Sequence, residues 1–204
     1  MKNNMLTIAK PAQAEIIIKK SRFIASACPV ENERDAINFV SQIRKEHSQA
    51  NHNVYAYVIN EQSLRCSDDG EPAGTAGKPV LEVIRHKGLS GIALVVTRYF
   101  GGILLGAGGL VRAYKETAVQ GIEAAGIVER TLYREINITM DYTWLGTIKR
   151  EMENNGGRQV NISYAQRVHL QAYLLSDKIN VMIKRLQDLT AAQIEIVPGE
   201  YLYL

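Results

Sequence analysis

Thr97 to Tyr114 reads TRYFGGILLGAGGLVRAY and joins two segments of different periodicity. Before it, GIALVVT (residues 91–97) is a continuous apolar run of strand length, the pattern of a strand buried on both faces. After it, the chain repeats helically from Leu110 to about Ala125. Arg112, Glu116, Gln120 and Glu123 share one polar stripe of that helix, while Val111, Ala118, Ile122 and Ala125 share another. The reading is strand, short glycine loop, helix.

The neighbouring segments extend this α/β pattern. EIIIK (15–19) and SRFIASACPV (21–30) read as strands, as do NVYAYVIN (53–60) and SLRCS (63–67) across a short turn. Asn32 predicts the cap of a helix running to about His47. Pro79 suits the first turn of a short helix, which Arg85, His86, Lys87 and Gly88 close with cations on the negative dipole end.

Beyond Gly126 the texture changes. REINITMDY (134–142) predicts a strand and TWLGTIKREMENN (143–155) an amphipathic helix. RQVNISY (158–164) and RVHLQAYLL (167–175) predict a hairpin. DKINVMIKRLQDL (177–189) predicts a helix capped by Asp177, and QIEIVPG (193–199) a last strand. That β-α-β-β-α-β order is the ferredoxin-like, split βαβ arrangement. The expected fold class is therefore α+β in two domains, 1–130 and 131–204, with the boundary near residues 127–134.

Composition limits the function classes. With 46% apolar and 22% charged residues in 204, the chain is ordinary globular material. It holds no apolar run of about 18 residues, and MKNNMLTIAKPAQAE lacks the features of a secretion signal, so a cytoplasmic protein without a membrane span is expected. Cys28 and Cys66 are too few and too isolated for a disulfide framework or a thiolate metal site. Lys and Arg outnumber Asp and Glu by 16 to 13 over residues 1–130 and balance 8 to 8 afterwards, so the net +3 lies wholly in the first part.

The glycines fit neither standard phosphate motif. Gly101 and Gly106 match the spacing of a P-loop, but Ala107-Gly108 stands where Lys-Ser/Thr is needed, and GxGxxG would require glycine at Val111. Two readings stay open: backbone N–H groups of Gly101, Gly102, Gly108 and Gly109 converge on an anion, or the glycines permit close helix–sheet packing. Arg112, a cation in the first turns of a helix, calls for a negative partner. SDDGEP (67–72) offers one, with Asp68, Asp69 and Glu71 as an acidic loop that salts the arginines, forms a metal site, or contacts a ligand. EF-hand spacing is absent, and neither a metal nor another cofactor is expected. Cations interleaved with flat side chains point to nucleic acid: Arg98-Tyr99-Phe100, Arg112 to Lys115, His52 to Tyr55, and a second basic group at Lys19, Lys20 and Arg22.

HNVYAY (52–57), RCSDDGEPAGTAGKPVL (65–81) and VTRYFGGILLGAGGLVRAY (96–114) resemble the signature blocks of the YigZ/IMPACT family, and DYTWLG (141–146) resembles the smaller C-terminal domain of its bacterial members. The resemblance covers nearly the whole chain. It implies a two-layer α/β N-terminal domain of the ribosomal-protein type, shared with domain IV of elongation factor G, and a second domain like domain V of that factor. It also implies a link to translation, since eukaryotic members regulate activation of an initiation-factor kinase. The expected function is thus a non-enzymatic RNA- or ribosome-binding protein, with a protein partner in the translation machinery as a further expectation. Arg98, Arg112 and Lys115 would contact backbone phosphates, Gly101, Gly102, Gly108 and Gly109 would accept an anion, and His52 and Tyr99 would stack. The alternatives are a metal-assisted hydrolase using Asp68, Asp69 and Glu71, or a protein-interaction module.

Overall fold

The computed structural model describes residues 3–204, except the side chains of Gln159 and Val160. The chain divides into two compact units, Leu6–Glu129 and Arg130–Leu204, residues 3–5 belonging with the second.

The first unit is built on a five-stranded antiparallel sheet in the order β2 (Ala12–Ile18), β3 (Ser21–Pro29), β6 (Ile92–Tyr99), β4 (His52–Val58), β5 (Leu64–Ser67). The apolar run read from the sequence is β6, the central strand. Its side chains alternate between two packed faces, which explains why it shows no polar alternation. Ile92, Leu94 and Val96 join the main core under α2 (Gly77–His86) and α3 (Ala107–Ala125), while Ala93 and Val95 pack beneath α1 (Glu33–Glu46) on the reverse face.

Caps set the helix ends. The Asn32 side chain accepts the Asp35 N–H at 3.0 Å to open α1. α2 ends in a Schellman motif, with Leu89 N–H on the Ile84 carbonyl at 3.1 Å and Gly88 N–H on Arg85 at 2.9 Å. Gly88 sits at φ +67°, a conformation that strains any residue with a Cβ.

The second unit has the predicted element order: β7 (Ile127–Met140), a 3-10 turn (Tyr142–Trp144), α4 (Leu145–Asn154), β8 (Arg158–Tyr164), β9 (Val168–Leu175), α5 (Ile179–Leu189), β10 (Glu195–Tyr203). The strands pair antiparallel as β10-β7-β9-β8, the ferredoxin-like order. Ile136, Ile138, Met140, Val168, Leu170, Ala172 and Leu174 form the core face against both helices. One sequence expectation needs correction. Asp177 does not cap α5, because the helix begins later, with Lys178 at the cap and no side-chain bond there. The stretch before Leu6 also holds the start of an unforeseen strand, β1 (Asn4–Ile8), whose chain follows Asn3, a carbonyl acceptor for Leu132 N–H at 2.7 Å.

Candidate functional site

The acidic loop follows β5, and its three carboxylates do three different things. Asp68 reaches across the loop to the start of α2. Its Oδ1 accepts the N–H groups of Ala76 and Gly77 at 3.1 and 2.8 Å, and Oδ2 accepts Gly74 N–H at 2.9 Å. The residue at the helix cap, Ala76, has no side chain able to do this, so a residue eight positions upstream supplies the cap. Partial burial alone would raise the Asp68 carboxyl, but the three backbone donors outweigh it and hold the group below the usual carboxylate range. Asp68→Ala is expected to destabilise the first unit by about 0.5–2 kcal/mol. Because the folded value is the lower one, Asp68's contribution is complete above the unfolded carboxylate pKa of about 4 and disappears as pH falls through the folded value. Urea titrations from pH 7 down to 2 check this: the parent should lose the increment over that acid window and Asp68→Ala should have none to lose.

Asp69 adopts φ +46° and turns the chain. Its Oδ2 accepts the Asn53 N–H at 2.6 Å and Oδ1 pairs with Arg44 of α1. Its carbonyl lies 2.8 Å from His52 Nδ1, which must therefore carry the proton.

Glu71 is buried, at 8% exposure. Its Oε1 receives Arg98 Nη1 at 2.7 Å and the Tyr114 hydroxyl at 2.7 Å, while Oε2 lies 3.9 Å from His52 Nε2. Arg98 is only 6% exposed, its guanidinium over the Phe23 and Phe100 rings at 5.4 Å each, and its Nε has no partner among the described residues. Burial first, and then the Glu71 carboxylate, push the Tyr114 phenol far above its ordinary value, so it stays a hydrogen-bond donor. β6, β4, α3 and the acidic loop are thus tied at one charged point.

Several predicted site residues are consequently engaged inside the protein. Arg98 does meet an acid of the SDDGEP loop, but it is too buried to hold a phosphate backbone. His52 and Tyr99 are not free stacking faces: His52 is held by Asp69, and Tyr99 bonds His47 Nδ1 at 3.0 Å while the Arg22 guanidinium covers its ring at 5.6 Å. Arg112 meets none of the three acids. It lies on the exposed side of α3 with no ion pair among the described residues. Lys115 pairs with Glu82 at 2.8 Å. Among the described residues no group of three or more His, Cys, Asp or Glu is placed to hold a metal ion. Burial pushes both the Cys28 and Cys66 thiols up, the reverse of what a thiolate nucleophile needs.

The glycines divide by role. Gly101 lies against the β2–β3 turn, where a Cβ would fall 2.0 Å from the Lys20 carbonyl carbon, and its N–H donates to Ser21 Oγ at 3.1 Å. Gly102 and Gly106 are exposed at positive φ, whereas Gly108 and Gly109 open α3. The turn that Gly101 touches is a two-residue hairpin in which Lys19 and Lys20 both have positive φ, at 45° and 65°. That geometry favours Asn-Gly. In the sequence the strained lysines are legible only as a basic pair between two strands.

An α/β unit with an internal carboxylate–guanidinium centre, continued by a ferredoxin-like unit, defines a two-domain α+β protein. The family model of the Impact N-terminal domain matches residues 19–122, and that of a domain of unknown function, DUF1949, matches residues 138–193. The chain belongs to the IMPACT family. It is 41% identical to IMPACT family member YvyE of Bacillus subtilis (strain 168) over 100% of this chain and 95% of that protein. It is 35% identical to IMPACT family member YigZ of Escherichia coli (strain K12), over 94% and 96%. Protein IMPACT of Danio rerio is 34% identical over 43% of this chain and 29% of its own length. A solved structure described as a hypothetical protein is similar with a TM-score of 0.70 and 34% identity, covering 98% of this chain and 99% of that one.

Proposed function

We propose that the protein is a cytoplasmic RNA- or ribosome-binding factor that influences translation without catalysis, in keeping with the expectation from its family. The observation that carries this reading is the exposed basic end of the first unit. Lys19 and Lys20 are exposed in a strained turn packed on Gly101, and from Phe100 to Lys115 the chain holds no acid. Phosphates would contact Lys19, Lys20 and Arg112 and the backbone N–H groups of Gly102, Gly108 and Gly109. Backbone strain in two adjacent lysines is a conformational cost of the kind that clusters at functional sites.

Lys19→Asn with Lys20→Gly tests the proposal because the two effects have opposite signs. The Asn-Gly turn suits the positive φ values and should stabilise the hairpin, while removing two cations should weaken RNA binding. For a single-stranded RNA, each phosphate a cation neutralises adds about 0.7 to the slope of log K against log salt, so removing two cations should make it shallower by about 1.4. Fluorescence anisotropy across a salt series measures it. Parent binding that ignores salt, or an unchanged slope in the variant, would overturn the assignment.

A further inference from the structure

The same end of the first unit presents an apolar tip that phosphate binding does not explain. Leu104 is 82% exposed, Phe100 44% and Ile103 41%, three large apolar side chains within five residues. The loop that carries them is held at both ends. Phe100 N–H donates to Asn51 Oδ1 at 2.8 Å, Gly101 N–H to Ser21 Oγ at 3.1 Å, and Leu105 packs against the main core. An anchored loop that keeps such side chains in water marks an interaction site.

The surroundings decide its partner. The Arg98 guanidinium lies over the Phe100 ring, 5.4 Å from its centre, and the side chain is still 44% exposed, so part of the ring is open as an aromatic platform. Gly101 brings the exposed Lys19–Lys20 turn against the backbone at the base of the loop, so two cations belong to the same end of the unit, and the sequence holds no acid from Phe100 to Lys115. A ligand that matches a flat apolar face, a projecting aliphatic side chain and adjacent positive charge is a run of bases on a phosphate backbone. We infer that Phe100 stacks on an unpaired base of bound single-stranded RNA while Leu104 and Ile103 wedge into the neighbouring base step. This rests on the RNA-binding reading above, and it adds how the bound strand is distorted.

The test uses the full chain and a single-stranded RNA oligonucleotide carrying 2-aminopurine, whose fluorescence rises when it is unstacked. Binding is followed in parallel by anisotropy of a terminal label. The parent protein should raise the 2-aminopurine signal as it binds. Ile103→Ser with Leu104→Ser, at exposed positions, should still bind in a salt-dependent way but abolish that rise. Phe100→Leu, which keeps bulk and loses the flat face, should weaken binding about 5- to 150-fold, the equivalent of one base–aromatic stack. Tight salt-dependent binding by the parent with no 2-aminopurine change, or a rise that survives the double serine variant, overturns the wedge and leaves the phosphate reading standing. If the parent binds no RNA, both fall. Leucine-dependent binding to phosphatidylserine vesicles in that case would reassign the tip to a membrane surface.

Discussion

Glu71→Ala is expected to destabilise the first unit by about 3–5 kcal/mol, because it strands the buried Arg98 without its counter-charge. The geometry gives the reason for so large an effect. Arg98 is 6% exposed, already lacks a partner at Nε among the described residues, and lies between two phenyl rings that offer it no acceptor. Removing Glu71 also leaves the Tyr114 hydroxyl without its acceptor, deep beneath α3. Replacing both charges at once, as Glu71→Leu with Arg98→Met, should recover much of the loss, since a buried ion pair exchanged for apolar side chains of similar volume is often neutral. The coupling energy between the two sites should therefore be large, about 0.5–3 kcal/mol. Amide hydrogen exchange in β6 under native conditions measures it within the first unit. Strictly additive losses would show that Arg98 and Glu71 do not depend on each other.

This centre is half legible in the sequence. Opposite charge and shared glycine richness correctly pair the SDDGEP loop with an arginine near the glycine segment. Arg98 is the right partner, and strand alternation names it: it lies in phase with Leu94 and Val96, which face α3. Arg112 is the wrong one, for an equally simple reason. The buried face of α3 runs through Leu110, Ala113, Tyr114, Thr117, Ala118, Gly121 and Ile122, and Arg112 falls on its other side. Tyr114 can be placed on the core face by the same count, but its hydroxyl bond to a loop 43 residues earlier cannot. Asp68 shows another limit. Local pattern assigns caps to neighbouring residues, and here the capping carboxylate lies eight residues before the cap position. The ferredoxin-like unit is easier to read because each strand and helix carries its own period and the hairpin joins neighbours in sequence. β1 is short and lies far in sequence from the strand it pairs with, so periodicity has little to register.

Gly101→Ala is expected to destabilise the first unit by about 1–3 kcal/mol and to weaken RNA binding with it. A Cβ there would stand 2.0 Å from the Lys20 carbonyl carbon and 2.1 Å from its oxygen, so two backbones must separate rather than one side chain rotate. Separation breaks the Gly101 N–H bond to Ser21 and shifts the Lys19–Lys20 turn away from the apolar loop. Gly108 makes the opposite case. A Cβ at that position meets nothing within 4 Å among the described residues, the φ is not in the left-handed region, and the residue sits in the first turn of α3. Gly108→Ala should therefore stabilise the protein by about 0.4–1 kcal/mol, chiefly by restricting the unfolded chain. A glycine standing where alanine would be more stable leaves room for close approach by something outside the fold. On the proposed function that is a phosphate, so Gly108→Ala should bind RNA more weakly while melting at a higher temperature. Thermal melts and anisotropy on the two variants separate the roles. Gly108→Ala binding as tightly as the parent would remove Gly108 from the RNA-facing surface and leave Gly101, with its packing role, as the glycine that matters.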